Sequence, residues 1–151
     1  MQELSTAIFT WTPLRFFVES LWRDEAFTYY MSILPFHEII AKTAQDFNPP
    51  LYYILMHVWI SFMGSSEIAL RTPSLIAFVV AVYVSDLFFK KVLHFSVLER
   101  QFAFLLLLVT PGTLYFAFEA RMYSLMASLG VASTYALFFK KNHGYTSSPP
   151  S

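Results

Sequence analysis

Residues 72–89 read TPSLIAFVVAVYVSDLFF, and two stretches of the same character follow: QFAFLLLLVTPGTLYFAF at 101–118 and MYSLMASLGVASTYALFF at 122–139. Crossing the hydrocarbon core of a bilayer takes about 20 mostly apolar residues in a helix, so each stretch is predicted to be a membrane span. Pro111-Gly112 is predicted to kink the second, a break that membrane helices tolerate when neighbours satisfy the freed carbonyls. In the third, Ala127, Ser128, Gly130, Ala132 and Ser133 suit close helix–helix approach. The fold class that follows is an all-α integral membrane protein, a polytopic helical bundle with short membrane-surface helices in its first extracytoplasmic loop.

Composition agrees with that reading. The chain has 151 residues, of which 56% are hydrophobic and 13% charged, with a mean hydropathy of +0.51. A soluble domain carries about 25% charged residues, so this chain has too few to solvate a globular surface. Ten basic and ten acidic side chains leave no basic excess to displace counterions from nucleic acid. Seventeen Phe, nine Tyr and three Trp exclude a disordered chain. The absence of cysteine excludes disulfides, thiolate-bound zinc and thiol catalysis.

Upstream of the spans, LYYILMHVWISFM at 51–63 is apolar but only 13 residues long. That length suits a buried, re-entrant or interfacial helix, started by Pro49-Pro50 and stopped by Gly64. Before it, Phe36, Ile39, Ile40, Thr43 and Phe47 fall on one helical face, an amphipathic pattern suited to a membrane surface. The excess of Lys and Arg in cytoplasmic loops then sets the orientation. Lys90, Lys91 and Arg100 flank the first short connection, and Lys140 and Lys141 end the third span, so both clusters are assigned to the cytoplasm. The stretch from about Leu21 to Arg71, with six acids against three bases from Glu19 to Arg71, falls outside, as does Glu119–Tyr123. The predicted organisation is a partial or truncated first membrane helix over 1–21, an extracytoplasmic loop with juxtamembrane helices over 22–71, three spans over 72–139 and a truncated cytoplasmic tail over 140–151. No leader with a basic start and a small-residue cleavage site is visible.

With so few charges, their positions carry the functional signal. Arg23, Asp24, Glu25, Asp46, Asn48, Glu67, Arg71, Glu119 and Arg121 come from four segments that this topology gathers at one membrane face. A carboxylate can act as general base on a hydroxyl, and an arginine can hold a phosphate bidentately. Both together suit transfer from a phosphorylated lipid donor at the interface. Each element also has a plainer reading. Arg23-Asp24-Glu25 suits a solvated helix start, where acids favour the positive end of the dipole. Asp46 to Pro50 suits a simple turn, and Glu67 and Arg71, four apart on a helix, suit a surface pair. Asp86 reads as paired or snorkelling near Lys90, and His57 as a packing or hydrogen-bonding residue. The other histidines lack metal-ligand spacing, and four glycines leave no phosphate-binding loop.

Taken together, SLWRDEAFTYYMS, DFNPPLYYILMHVWISFMGSSEIALRTPSLIAF and YFAFEARMYSLMA resemble, in that order, the amino-terminal part of GT-C glycosyltransferases. The group most similar is the one related to dolichyl-phosphate-mannose protein mannosyltransferases and the bacterial lipid A aminoarabinose transferase. The resemblance spans about residues 14–139 and the opening part of a full-length enzyme. It implies transfer of a hexosyl or pentosyl group from a polyprenyl-phosphate carrier, with inversion, to a lipid, glycan or protein hydroxyl. Asp24 would be the general base with Glu25 beside it. Asp46, Asn48 and Pro49 would shape the pocket at the start of the short helix; relatives often have His at the position of Asn48. Arg71 and Arg121 would neutralise the lipid phosphate, and Glu119 would orient one of them. Some relatives hold a divalent metal at the acidic loop, the one cofactor that the resemblance suggests. The site would face outside the plasma membrane of a bacterium or archaeon, or into the endoplasmic reticulum of a eukaryote. Two other readings stand beside it: a non-catalytic truncated membrane protein or assembly subunit, and a transporter or flippase component with Asp24, Glu25 or Asp86 binding protons or ions.

Overall fold

The computed structural model describes residues 20–45, 48–110 and 112–144, with side chains up to Lys140. The partial helix expected over the first 21 residues therefore lies almost wholly outside the described residues, as do Asp46 and Phe47. What is described is all-helical: α1 (Arg23–Ser32), α2 (Phe36–Gln45), α3 (Pro50–Met63), α4 (Glu67–Lys91), α5 (Val97–Val109), α6 (Thr113–Phe118) and α7 (Tyr123–Gly144).

Local chemistry sets most of the boundaries. In α1, Glu25 reaches back from the first turn to accept from the Trp22 backbone N–H at 3.1 Å, satisfying one of the donors a helix start leaves open. Pro50 begins α3, where its missing N–H costs nothing. Gly64, with φ of 79°, ends it in a conformation that a side chain would resist. Ser66 caps α4 by accepting from Ala69 N–H. Ser96 and Glu99 cap α5 reciprocally.

Pro73 lies inside α4. Having no N–H, it leaves the Ala69 carbonyl without its helical donor. The indole Nε1–H of Trp59, on α3, donates to that carbonyl at 2.8 Å, so the proline locks α3 to α4 instead of breaking the helix. Replacing Trp59 with Phe is expected to cost about 1–3 kcal/mol. The loss should shrink in a Pro73→Ala background, whose restored N–H serves the same carbonyl. Equal losses in the two backgrounds, measured by unfolding in detergent, would reduce the contribution of Trp59 to packing.

Among the described residues, α4 alone is long and apolar enough to cross a membrane. The second predicted span is not one kinked helix but two separate pieces, α5 and α6. Thr110 is extended, with ψ of 123°, as a residue before proline prefers, and Gly112 is left-handed with φ of 89°. The third stretch forms α7, 22 residues long, but Ser124, Ser128, Ser133, Thr134 and two tyrosines dilute its apolarity. The 14 residues of α3 reach only about 21 Å at 1.5 Å per residue, short of a bilayer core.

α4 and α7 pack along each other and run the same way. Ser74 meets the backbone of Arg121 at their beginnings, while near their ends Phe88 meets Phe138 and Lys91 lies over the Phe139 ring. The close approach uses Ala77 and Ala81 of α4 and Ser124 and Ser128 of α7, all buried; Ala127, Gly130 and Ser133 are exposed. A buried core of Met31, Ile39, Tyr52, Tyr53, Met56, Leu70 and Ala120 sits at one end, under α1–α3 and the bend between α6 and α7. α5 has no buried residue, and Leu98, Phe102, Leu106 and Val109 lie bare. A bare apolar face of that extent needs a non-aqueous or protein surface against it.

Candidate functional site

Of the charged residues predicted to share one face, Asp24, Glu25, Arg71, Glu119 and Arg121 come together at one end of the bundle, in two layers, while Asp46 lies outside the described residues. The inner layer is centred on Glu25, whose side chain is 2% exposed against 1% for that of Arg71. Arg71 Nε donates to Glu25 Oε1 at 2.9 Å and Nη2 donates to Oε2 at 2.6 Å. The Ala120 N–H adds 3.0 Å to Oε1, and Trp22 N–H completes the set at Oε2. Two of these partners are 46 and 95 residues away in sequence, so one carboxylate ties α1, the first turn of α4 and the α6–α7 bend together. Burial pushes the Glu25 carboxyl up, but the Arg71 hydrogen bonds, the two backbone N–H groups and the Arg71 charge outweigh it and hold it below its ordinary 4.5. Arg71 is thus committed to Glu25, not to the i−4 acid Glu67. A buried bidentate partner with no water to compete is worth far more than an exposed pair on a helix surface.

The outer layer is solvated. Asp24, with a side chain 57% exposed, accepts from Arg121 Nη1 at 2.8 Å. The Arg121 guanidinium also lies over the Tyr123 ring, 4.9 Å from its centroid. Its backbone is held on both sides: its N–H donates to the Glu119 carbonyl at 2.7 Å, and its own carbonyl accepts from Ser74 Oγ at 3.1 Å. The Tyr52 hydroxyl lies 3.2 Å from the same Ser74 Oγ, with both groups buried. Tyr52 and Ser74 were not among the predicted site residues. Their only sequence signal is position: a hydroxyl on the first turn of the Pro-Pro helix, and a serine three residues after Arg71.

Glu119 occupies the bend itself and is 7% exposed. Its Oε2 is buried and has no hydrogen-bond partner among the described residues. Burial pushes its carboxyl above the ordinary 4.5; Arg121 opposes the rise, and the charges of Glu25 and Asp24 add to it. Asn48 and Pro49 sit at the entry to α3, one turn from Tyr52, and are joined to the charged group through that helix. His57 takes the hydrogen-bonding role expected, with Nδ1 2.7 Å from the Ser32 carbonyl. At the opposite end of the bundle Asp86 pairs with Arg100, not Lys90.

Beside Asp24 an open cleft of about 540 Å³ is lined by Arg23, Ala26, Phe27 and Tyr30. An apolar groove of about 500 Å³ runs between α3, α4 and α7, along Leu55, Trp59, Phe62, Ile76 and Leu125. Among the described residues no three His, Asp or Glu side chains converge as metal ligands, and Asp24 and Glu25 each face an arginine. What the arrangement can do is take a proton from a hydroxyl at Asp24 and set a cation, Arg121, beside the place where charge would develop.

No family model, curated protein or solved structure matches the chain. Fold and site therefore define its class on their own: an all-helical chain with at least one helix able to cross a membrane, carrying a carboxylate–arginine cluster at one end of its bundle.

Proposed function

We propose that the chain forms the amino-terminal part of a polytopic, GT-C-type membrane glycosyltransferase. It moves a sugar from a polyprenyl-phosphate donor to an acceptor hydroxyl outside the membrane. The observation that carries the reading is the convergence of Asp24, Glu25, Arg71, Glu119 and Arg121, from three distant segments, at the end opposite Lys90, Lys91 and Lys140. α5, α6 and α7 cross or enter the bilayer beside α4, and the bare apolar faces of α5 and α7 suit lipid or further helices.

In the reaction, Asp24 accepts the proton of the acceptor hydroxyl as its oxygen attacks the anomeric carbon. The bond from that carbon to the phosphate oxygen breaks on the far side, which inverts the centre. The departing lipid phosphate keeps the electron pair, and Arg121 neutralises its charge. A phosphate monoester has a second pKa near 6, so it leaves with little need of an acid, unlike the sugar leaving group of glycoside hydrolysis. Glu25 and Arg71 hold the two halves of the site in register, and the apolar groove lies where a lipid tail can stay in the membrane. A transporter draws less support from these features, because its charges belong at the bilayer midplane and these lie at helix ends.

The direct test is sugar transfer. Membranes carrying the chain within the longer enzyme that the resemblance implies should move label from a polyprenyl-phosphate sugar to an acceptor, and Arg121→Ala should weaken use of that donor. Movement of substrate into proteoliposomes without transfer would support the transporter instead. Orientation is a separate prediction. Since the chain has no cysteine, single substitutions report cleanly: Glu67→Cys should react with an impermeant thiol reagent from outside, and Asn142→Cys only after permeabilisation. The opposite pattern at position 67 would mean that α3 crosses the membrane.

A further inference from the structure

The bend Glu119–Ala120–Arg121 places a buried acid two residues from the cation that engages Asp24. Arg121 has three neighbours of consequence: the Asp24 carboxylate, the Tyr123 ring and Glu119, whose carbonyl already holds the Arg121 N–H. The Arg121 side chain is 24% exposed, so its pair with Asp24 sits partly in water and is weak. The Glu119 carboxyl is the opposite case, buried, with one oxygen unpartnered among the described residues. Protonated, that group is tolerable where it lies. Ionised, it carries an uncompensated charge out of water, a larger penalty than the solvated pair is worth. The cation whose charge acts on Glu119 is Arg121, and its solvated pair with Asp24 is weaker than the buried bidentate hold of Glu25 on Arg71.

We propose that Glu119 is a positioning residue that selects the partner of Arg121: protonated, it leaves the guanidinium on Asp24; ionised, it draws the guanidinium to itself and releases Asp24. The exchange transfers one proton from the Glu119 carboxyl to water, breaking that O–H bond and no other covalent bond. Charged and titratable groups acting with Glu119 are Asp24 and Glu25 on α1, Tyr52 on α3, Tyr115 on α6 and Arg121 on the bend itself; Arg71 on α4 is bound to Glu25. Burial has raised the proton affinity of Glu119, which moves the exchange to higher pH than a solvated carboxyl would give. The exchange itself does not depend on the transferase reading. Its consequence does rest on it: Asp24 would become a free base, and Arg121 would leave the donor phosphate, as Glu119 ionises.

The test reads the ion pair, not the reaction. A double-mutant cycle of Asp24→Asn and Arg121→Gln, on the unfolding equilibrium of the chain in detergent, gives the coupling between the two side chains. At pH 4.5, the ordinary glutamate value, the coupling should be about two- to five-fold in the equilibrium constant. At pH about 9, beyond even a strongly raised carboxyl, it should fall to about one-fold. In a Glu119→Gln background, which keeps the neutral form, the coupling should persist at both values; Glu119→Ala serves as a second background with no acid at all. A coupling independent of pH in the wild type overturns the proposal, and so does a coupling lost at high pH in the Glu119→Gln and Glu119→Ala chains. Because no sugar transfer is measured, failure here is distinct from failure of the proposed activity.

Discussion

Glu25→Ala is expected to destabilise the chain by about 3–5 kcal/mol, the cost of breaking a buried ion pair from one side. Arg71 would keep its charge in a place that is 1% exposed, and the Ala120 and Trp22 N–H groups would lose their acceptor. Three of the four lost hydrogen bonds lie between segments, so the effect should appear as separation of α1 and the α6–α7 bend from α4, with faster amide exchange at Ala120. Replacing Glu25 and Arg71 together with apolar residues of similar volume should recover much of the loss, since the orphaned charge is gone. The sign with pH is also defined. The folded Glu25 carboxyl titrates below its ordinary 4.5, so its contribution is complete above 4.5 and lost as pH falls through the lowered value. Glu119 works the other way: raised above 4.5, it favours the fold at low pH and loses that contribution as pH rises through its own value. A Glu25→Ala loss of less than about 1 kcal/mol, the range of a solvated pair, would show the site to be wetter and looser than its geometry implies.

The acids of Asp24-Glu25 were legible as a helix start, because dipole preference and the reach from the third helical position to the cap are local effects. Which acid is buried was not legible. That depends on how the first turn of α1 faces α4, and two of the four donors to Glu25 are backbone N–H groups, which every non-proline residue carries. The i,i+4 spacing of Glu67 and Arg71 pointed to a pair that Arg71 does not make, for the same reason: spacing reports local neighbours, and the winning partner is 46 residues away. Apolar length located α4 well. It overreached at 101–118, where Thr110 and Gly112 take backbone angles that end a helix instead of bending it. Pro73 inside α4 was not singled out from the sequence, and Trp59, which serves the carbonyl it leaves open, belongs to another helix. The gathering of charges at one end was legible from topology alone, since alternating helices return the chain to the same side.

Asp24→Asn should abolish most sugar transfer, by about 10²- to 10⁴-fold, the usual worth of a general base, while leaving the fold nearly intact. The two adjacent acids therefore separate by experiment: Glu25 answers in stability and Asp24 in rate. Asparagine keeps the size of the side chain and still offers Arg121 an oxygen, so structural loss should stay within about 1 kcal/mol, the worth of an exposed pair. It cannot take a proton from the acceptor, and a rate loss at unchanged expression, insertion and melting isolates that function. The kinetic form matters as well. On the proposed mechanism, loss of a base used only in the transition state should lower kcat with little change in KM for the donor, whereas Arg121→Ala, by removing the proposed contact to the donor phosphate in both states, should raise KM for that donor. An acceptor with a more acidic hydroxyl should recover part of the Asp24→Asn loss, because less proton transfer to the enzyme is then needed. Normal turnover by Asp24→Asn would remove Asp24 as the base and, with Glu25 locked on Arg71, would leave Glu119 as the remaining carboxyl of the cluster able to accept a proton.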